Sequence, residues 1–312
     1  MTAADDALSL RGAEAVTLEA QAKVNLRLRV LARETSGYHQ IETLFLRLAL
    51  ADTVRIRRTT GARSLDVTFE TRTYDIGPVE QNLAWRAAES YCDSSGMRGG
   101  FAIELVKRIP AGAGLGGGSA DAGAVLRALD ALAQASMGEA MLLSLAARLG
   151  ADVPFLTAAH AYALAWGRGE RMLALGAPPE RNVTVVVPTV GVNTAEAYGW
   201  LAAAAERSPR VPEAHVLDPA GLSEWDGIAP LAENDFQHVV FARHPDLQER
   251  ADALRQRGAR IVMMSGSGSA IFGVHAAGDG DVAAAAPERH GGTDQVFSTR
   301  TAVRVERPSR TE

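Results

Sequence analysis

Between residues 18 and 30, apolar residues alternate with polar or charged residues along the chain. Because the side chains of a β-strand point alternately to its two faces, this alternation predicts a strand. Its apolar face, which we expect to be buried, consists of Val24, Leu26, Leu28 and Val30. Its opposite face carries Lys23, Asn25, Arg27 and Arg29. The segment is therefore predicted to be a strand with one buried side.

Similar patterns place the other elements. Apolar runs predict strands at 41–50, 53–58, 65–70, 101–106, 183–187, 260–264 and 270–274, with an edge strand at 301–305. Apolar residues three and four positions apart predict helices at 82–91, 119–133, 139–149, 194–204 and 245–257. Strands and helices follow one another without regular alternation. This order favours an α+β fold over a doubly wound parallel sheet.

Two domains are predicted from a change of composition at residues 176–179, where Gly-Ala-Pro-Pro interrupts the pattern. The first domain is expected to span 18–177 and the second 180–305. Residues 1–17 are expected to form a flexible extension, since they show neither an apolar signal core nor an arginine-rich transit pattern. A polar loop containing three prolines is expected at 208–225.

Composition narrows the class of partner. Charged residues make up 22% of the 312 residues and the net charge is −5, so neither a long basic face nor a nucleic-acid partner is expected. Binding of a small anionic ligand remains possible, because a few local amides and cations suffice to bind it. The apolar region 141–166 is interrupted by Arg148, Asp152, Pro154 and His160, so no membrane span is predicted.

Cys92 is the single cysteine, so no intrachain disulfide can form. It follows the helical pattern of 82–91, which favours a small core residue over a nucleophile. A reducing compartment agrees with this cysteine usage, and we expect a cytoplasmic protein.

A glycine-rich run follows the strand predicted at 101–106 and precedes a predicted helix. Five glycines within seven residues let the backbone approach a ligand closely, and the start of a helix favours an anion. No lysine follows the run, so it is not a Walker A loop. The alternative, a flexible surface turn, is much the weaker. The residues expected to bind phosphate are Pro110, Ala111, Gly112, Ala113, Gly114, Leu115, Gly116, Gly117, Gly118, Ser119 and Ala120.

Two polar positions on the first strand are candidates for chemistry. Lys23 and Asn25 are two residues apart, so their side chains should leave one face about 7 Å apart. A lysine there could orient a hydroxyl or stabilise phosphoryl charge. On spacing alone, a solvated strand face is the favoured interpretation, because Arg27 and Arg29 share that face.

Asp152 lies in Gly150-Ala-Asp-Val-Pro154, where an aspartate before Val-Pro suits the N-cap of a helix. Such a cap is favoured on local grounds. The functional alternative is a carboxylate that accepts a proton in phosphoryl transfer, and the two roles are compatible. Tyr38 and His39 follow a glycine and could stack on and hydrogen-bond to a base, although loop aromatics are commonly packing residues.

Together these motifs resemble the GHMP kinases, and among them the family that phosphorylates 4-diphosphocytidyl-2-C-methyl-D-erythritol. The resemblance covers roughly residues 18–275. The glycine-rich run is shared by all GHMP kinases, whereas Gly-Tyr-His together with Gly-Ala-Asp-Val-Pro is much more specific to that activity. The matching segments are Ala22-Lys-Val-Asn-Leu26, Gly37-Tyr-His39, Glu42-Thr-Leu-Phe45, Ile109 to Asp121, Leu149 to Phe155, Gly167-Arg-Gly-Glu170, Asn193 to Tyr198, Asn234-Asp235 and Met264 to Gly268.

The resemblance implies a fold and a reaction. The N-terminal domain would be like domain 2 of ribosomal protein S5 and the C-terminal domain ferredoxin-like. ATP, with Mg²⁺, would phosphorylate the 2-hydroxyl of the cytidyl substrate in the non-mevalonate route to isoprenoids. Asp152 matches the general base of the family and Lys23 its catalytic lysine. The positions implied to bind the substrate are Asn25, Tyr38, His39, Thr194 and Tyr198.

Other readings stay open. Another GHMP kinase, acting on homoserine, mevalonate or a sugar, is the nearest rival, and a catalytically silent nucleotide-binding protein is the second. We expect a monomer or a weak homodimer.

The sequence also departs from the family at four positions. Gln21 stands where proline is usual, Arg27 and Arg29 replace aromatic residues or histidine, and Ala120 replaces a serine.

Overall fold

The computed structural model describes residues 15–35, 37–133, 137–207, 217–278 and 294–311. Within these ranges the strands form two sheets. In chain order the strands are β1 (Ala15–Arg33), β2 (His39–Thr59), β3 (Ser64–Phe69), β4 (Gly100–Lys107), β5 (Tyr162–Gly167), β6 (Arg171–Ala174), β7 (Asn182–Val187), β8 (Glu233–Asn234), β9 (Ile261–Met264), β10 (Ile271–Val274), β11 (Gln295–Arg300) and β12 (Ser309–Thr311).

The helices pack against these sheets. In chain order they are α1 (Leu83–Ser95), α2 (Gly117–Leu132), α3 (Glu139–Leu149), α4 (Val153–Thr157), α5 (Thr194–Arg207), α6 (Trp225–Ile228), α7 (Gln237–Phe241) and α8 (Pro245–Gln256). The predicted α+β class is confirmed. No helix in the described ranges is long and apolar enough to cross a membrane.

The first sheet has the strand order β12-β1-β2-β4-β3, and β5, β6 and β8 join it at the sides. The antiparallel ladder of β1 and β2 runs from Ala15, opposite Arg57, to Arg33, opposite His39. The strands predicted at 41–50 and 53–58 are a single strand, because pairing continues through Ala51 and Asp52.

The prediction that β1 buries only one side is wrong. Lys23, Asn25 and Arg27 are all less than 4% exposed. Register shifts beside Gln21 and between Asn25 and Arg27 break the simple alternation. Loops from distant parts of the chain then cover the polar side. A strand's own pattern cannot report a cover supplied from elsewhere, which explains the error.

Helices α1 and α2 contribute to the larger apolar core. Asn82 starts α1 by accepting a hydrogen bond from the amide of Ala84 at 2.9 Å, and Gly96 ends it in the left-handed conformation. Cys92 is 4% exposed within this core, which confirms the packing role predicted for it. Burial raises the pKa of its thiol to about 11, so the sulfur is not a thiolate nucleophile at neutral pH.

The second sheet has the order β11-β7-β10-β9 and is antiparallel throughout. The edge strand predicted at 301–305 is wrong: the strand is β11, which ends at Arg300. At Thr301 the chain forms a bridge to Leu48 of the first sheet. The residues that follow run along that sheet until β12 pairs with β1.

Strands β8 and β12 therefore bring parts of the second half of the chain to the first sheet. The domain division at 177 and 180 stays a prediction. Residues 1–14 of the expected extension lie outside the described residues, and residues 15–17 already belong to β1. Of the loop expected at 208–225, residues 208–216 lie outside the described ranges, and the remainder includes the start of α6.

Candidate active site

A cleft of about 1330 Å³ opens between the glycine-rich loop, the β1–β2 turn and the start of α5. Two elements from the second half of the chain, α5 and the loop after β9, complete its walls. Residues predicted to have a role are brought together there from distant parts of the sequence. Those lining the cleft are Lys23, Asn25, Tyr38, His39, Gly112, Gly114, Ser119, Asp152, Thr194 and Tyr198.

The glycine-rich loop is held on both sides by backbone contacts. The amide of Lys23 donates to the carbonyl of Leu115 at 2.9 Å. The amide of Ala270 donates to the carbonyl of Ala113 at 3.1 Å. Gly114 has a φ of +82°, and a Cβ there would collide with the carbonyl oxygen of Ser265. These contacts rule out the flexible surface turn.

The loop's residues divide into those facing the cleft and those holding the loop. Gly112, Gly114 and Ser119 line the cleft, and Gly116 caps the start of α2. The first amides of a helix lack intrahelical partners, so the start of α2 can receive an anion. Ala120 differs, because its side chain is 1% exposed and its amide already donates to the carbonyl of Gly116.

Below the loop lies a buried charge cluster that the sequence analysis missed. The ammonium of Lys107 contacts Asp52 and lies 2.5 Å from Oδ2 of Asp121 on α2. Asp52 also accepts hydrogen bonds from the amides of Arg108 and Ile109, immediately before the loop. Burial raises the pKa of Asp121 to about 8, and the attraction of Lys107 offsets only part of that effect. The cluster ties β4 to α2 on either side of the loop.

Lys23 lies at the inner end of the cleft and is 3% exposed. Its ammonium is 3.3 Å from Oδ2 of Asp152 and donates to Oδ1 of Asn25 at 2.7 Å. Asn25 in turn accepts from the amide of Gly266 at 3.0 Å and donates to Thr43 at 2.8 Å. The solvated strand face favoured from spacing is therefore wrong. Hydrogen bonds orient both side chains.

Asp152 stands directly before α4, where an N-cap was predicted, but its side chain makes no capping hydrogen bond. Its backbone is helical rather than extended, and its carboxylate pairs with Lys23 instead. The predicted cap is wrong in its bonding and right in its position. The carboxylate is 30% exposed, so it can reach a molecule in the cleft.

The loop after β9 supplies a wall to which the sequence analysis assigned no role. Asn234, which is 8% exposed, donates through Nδ2 to the carbonyls of Met264 and Gly266 at 2.7 and 2.8 Å. The hydroxyl of Ser267 lies 2.8 Å from that of Thr194 at the start of α5. Alternating serines and glycines between two strands were the available signal, since such residues favour close backbone approach.

Aromatic rings form the opposite end of the cleft. His39 and Tyr198 stack with centroids 4.1 Å apart, and Tyr198 meets Phe236 edge-on at 4.8 Å. Tyr38 is 59% exposed, with the guanidinium of Arg168 over its ring at 4.1 Å. Phe236 was not predicted as a site residue. Its position behind Tyr198 becomes apparent only once α5 and the segment before α7 are packed together.

The electrostatics of this end are shaped by burial. Burial and the positive charge of Arg33 lower the pKa of His39 below 6.5, so its imidazole is neutral at neutral pH. Burial and the negative charge of Asp152 raise the pKa of Tyr198. Asp152 and Tyr198 both line the cleft, and the ion pair of Asp152 joins it to Lys23.

The two arginines that depart from the family pattern do not line the cleft. Arg27 is 1% exposed, donates to Glu42 at 2.9 Å and pairs with Glu233 at 2.8 Å. Arg29 lies 3.4 Å from the same Glu233 oxygen. Arg27 therefore ties β1 to both β2 and β8, and Arg29 ties it to β8.

The fold and the cleft together define a small-molecule kinase of the GHMP class. Residues 82–160 match the family model described as the GHMP kinases N terminal domain. A homoserine kinase from Cytophaga hutchinsonii shares the fold, with a TM-score of 0.67 at 18% identity over 95% of this chain and 97% of that chain.

Relatives at higher identity narrow the class. A 4-diphosphocytidyl-2-C-methyl-D-erythritol kinase of Solibacter usitatus is 40% identical, over 82% of this chain and 80% of its own length. One of Nitratidesulfovibrio vulgaris is 39% identical, over 83% and 90%. A crystal structure of 4-(cytidine 5'-diphospho)-2C-methyl-D-erythritol kinase matches with a TM-score of 0.71 at 36% identity, over 92% and 99%. The chain belongs to the 4-diphosphocytidyl-2-C-methyl-D-erythritol kinase family.

Proposed function

We propose that this protein transfers the γ-phosphoryl group of ATP to the 2-hydroxyl of 4-diphosphocytidyl-2-C-methyl-D-erythritol, a step of non-mevalonate isoprenoid synthesis. Membership of the family supports the reaction. The observation that carries the assignment to this cleft is the ion pair of Lys23 and Asp152, 3.3 Å apart, beside the glycine-rich loop.

The transfer is direct and in line. The hydroxyl oxygen of the substrate forms the new bond to phosphorus as the bond from phosphorus to the ADP oxygen breaks. Asp152 accepts the hydroxyl proton, and Lys23 orients that hydroxyl and stabilises the charge on the transferring group. Positioning carries most of the rate, which agrees with the hydrogen bonds that hold Lys23 and Asn25.

Mg²⁺ neutralises phosphate charge when it is bound with ATP. In the described part of the chain, no group of three or more His, Cys, Asp or Glu residues could hold a metal ion. We therefore propose that the ion is held mainly by phosphate oxygens and water, as Mg²⁺ often is. The hydroxyl of Ser119, which lines the cleft at the start of α2, would complete its shell.

The cytosine of the substrate enters the aromatic end. His39 and Tyr198 stack on each other at 4.1 Å, so a base that enters between Tyr38 and Tyr198 displaces this contact. Stacking on the two tyrosines supplies affinity, while the neutral imidazole of His39 offers one donor and one acceptor to the edge of the base. The hydroxyl of Thr194 is a further substrate contact on the α5 side.

An ADP-release assay with a panel of acceptors tests the proposal. With ATP and Mg²⁺ we expect release with the cytidyl diphosphate methylerythritol and none above background with homoserine or mevalonate. Release with homoserine or mevalonate alone would assign a different GHMP kinase activity. Release with none of these, in protein that binds ATP, would leave a sugar kinase or a catalytically silent nucleotide-binding protein, and a sugar panel separates the two.

A further inference from the structure

A second cavity, of about 730 Å³, lies at the side of α2, and it shares no lining residue with the active-site cleft. Arg127 reaches it ten residues after the start of α2, which corresponds to about 15 Å along the helix axis. Three of the five polar side chains in its lining are arginines, Arg127, Arg304 and Arg307, and the other two are His160 and Glu306.

Arg127 lacks a carboxylate partner among the described residues. Its guanidinium donates at 2.5 Å to the backbone carbonyl of Glu306, not to that residue's carboxylate. Even a partly buried cation without a counter-ion is costly, because the charge loses hydration that no anion replaces. Burial lowers the pKa of Arg127 in agreement with this environment.

A second arginine adds to the positive potential behind the cavity. Arg47 is 1% exposed, and its guanidinium donates only to the backbone carbonyls of His160, Phe155 and Ala158, at 3.1, 2.7 and 2.9 Å. Burial, and then the charge of Arg127, lower its pKa to about 9. Two neighbouring guanidinium groups thus lack a carboxylate within the described part of the chain.

The other cationic side chains come from the tail between β11 and β12, which is held in place against the first sheet. The buried amide of Gln21 donates to the carbonyl of Arg304 at 3.4 Å and accepts from the amide of Glu306 at 3.3 Å. Proline, which is usual at position 21 in the family, could form neither bond. Arg304 and Arg307 are exposed and make no side-chain ion pair with a described residue.

We propose that this cavity binds a small phosphorylated molecule. Arginine guanidinium groups match the geometry of a phosphate, and the volume lies within the range of small-molecule sites, which argues against a macromolecular partner. Leu175, Val303 and Val305 add an apolar wall, so a phosphate ester with an apolar body fits better than inorganic phosphate.

Isothermal titration with phenyl phosphate tests the site, with the active-site cleft saturated by a non-hydrolysable ATP analogue and the cytidyl substrate. We expect one equivalent to bind the wild-type protein, with phenol showing no saturable binding. The double variant Arg304→Gln with Arg307→Gln should weaken binding at least about tenfold, since two charge-assisted contacts are lost. Both side chains are exposed, so folding should be unaffected.

The matched control is Arg98→Gln with Arg260→Gln, which removes the same charge from exposed arginines outside the cavity lining. The dissociation constant of this control for phenyl phosphate should stay within about twofold of the wild-type value. No saturable binding to the wild-type protein overturns the proposal. An affinity in the Arg304/Arg307 variant within tenfold of wild type, or an equal loss in the control, also overturns it.

Discussion

The two ends of the cleft are held in different ways. At the end proposed to bind phosphate, the glycine-rich loop is tied by backbone hydrogen bonds to Lys23 and Ala270. At the aromatic end, the walls are side chains: His39 stacks on Tyr198, and Arg168 covers the exposed ring of Tyr38. One end is thus set by main-chain geometry and the other by side-chain identity.

Under the proposed function, this difference corresponds to what each end recognises. Phosphate is common to the substrates of all small-molecule kinases, and main-chain amides can bind it regardless of side chain. A particular base needs particular rings and hydrogen-bonding groups, and these can change without disturbing the backbone. Asp152 joins the two ends, because it pairs with Lys23 and its charge acts on Tyr198.

The largest expected effect comes from removing the carboxylate of Asp152, which joins the two ends. We expect Asp152→Asn to lower kcat by about 10²–10⁴-fold, because the hydroxyl proton loses its acceptor. The affinity for ATP, measured by titration, should change little, since the glycine-rich loop is intact. Asp226→Asn, a change on the exposed face of α6, is the control and should retain normal turnover. Near-normal turnover of Asp152→Asn would remove the general base from the proposal.

A glycine substitution tests the main-chain end. In Gly114→Ala, the new Cβ would collide with the carbonyl of Ser265 and the residue would keep a positive φ. We expect the KM for ATP to rise at least about tenfold, as displacement of the loop forfeits phosphate contacts, with a loss of stability of about 1–3 kcal/mol measured in urea.

Gly138→Ala is the matched control, because Gly138 has a similar φ of +76°, has no atom within 4 Å of the added Cβ and lies outside the cleft lining. It should carry only the backbone strain. Equal effects of the two alanines on the KM for ATP would show that the contact with Ser265 does not position the loop.

A ring substitution tests the side-chain end. Tyr198→Ala should raise the KM for the cytidyl substrate by about 5- to 150-fold, the effect of losing about 1–3 kcal/mol of base stacking. The KM for ATP should stay within about twofold, and Tyr198→Phe should restore most of the affinity for the substrate. A parallel rise of both KM values would indicate general disturbance of the cleft.

The smallest effect is expected from pH. Because the pKa of His39 is lowered below 6.5, the imidazole is neutral at pH 7 and gains a proton only as the pH falls below that ordinary value. Protonation removes its acceptor, so the KM for the cytidyl substrate should rise a few-fold toward acid pH. His39→Asn should abolish this pH dependence. A wild-type KM that falls with decreasing pH would contradict the neutral role.

Local signals predicted most elements of the fold. The helix at 139–149 coincides with α3, and the predicted glycine-rich loop lies directly before α2. The short strands β5 and β6 went unpredicted, because their apolar residues belong to a region whose pattern suits neither a clean helix nor a clean strand. Their pairing with β2 and with each other defines them.

The candidate site was predicted in part. Spacing suggested Lys23 and Asn25 but favoured a solvated face, and the resemblance to a family supplied their roles. Asn234, Phe236 and Lys107 escaped prediction, since each acquires its position from contacts with segments far away in the chain.

The sequence by itself predicted a phosphate site at the start of α2, because glycine freedom and unpaired helix amides are local properties. It also determined the family, through motifs that occur in the right order. Only the tertiary structure decided that Lys23 is buried and paired with Asp152, and that Gln21 holds the arginine-bearing tail. Those outcomes depend on which distant segments cover a strand, and burial of that kind is a property of packing rather than of any local pattern.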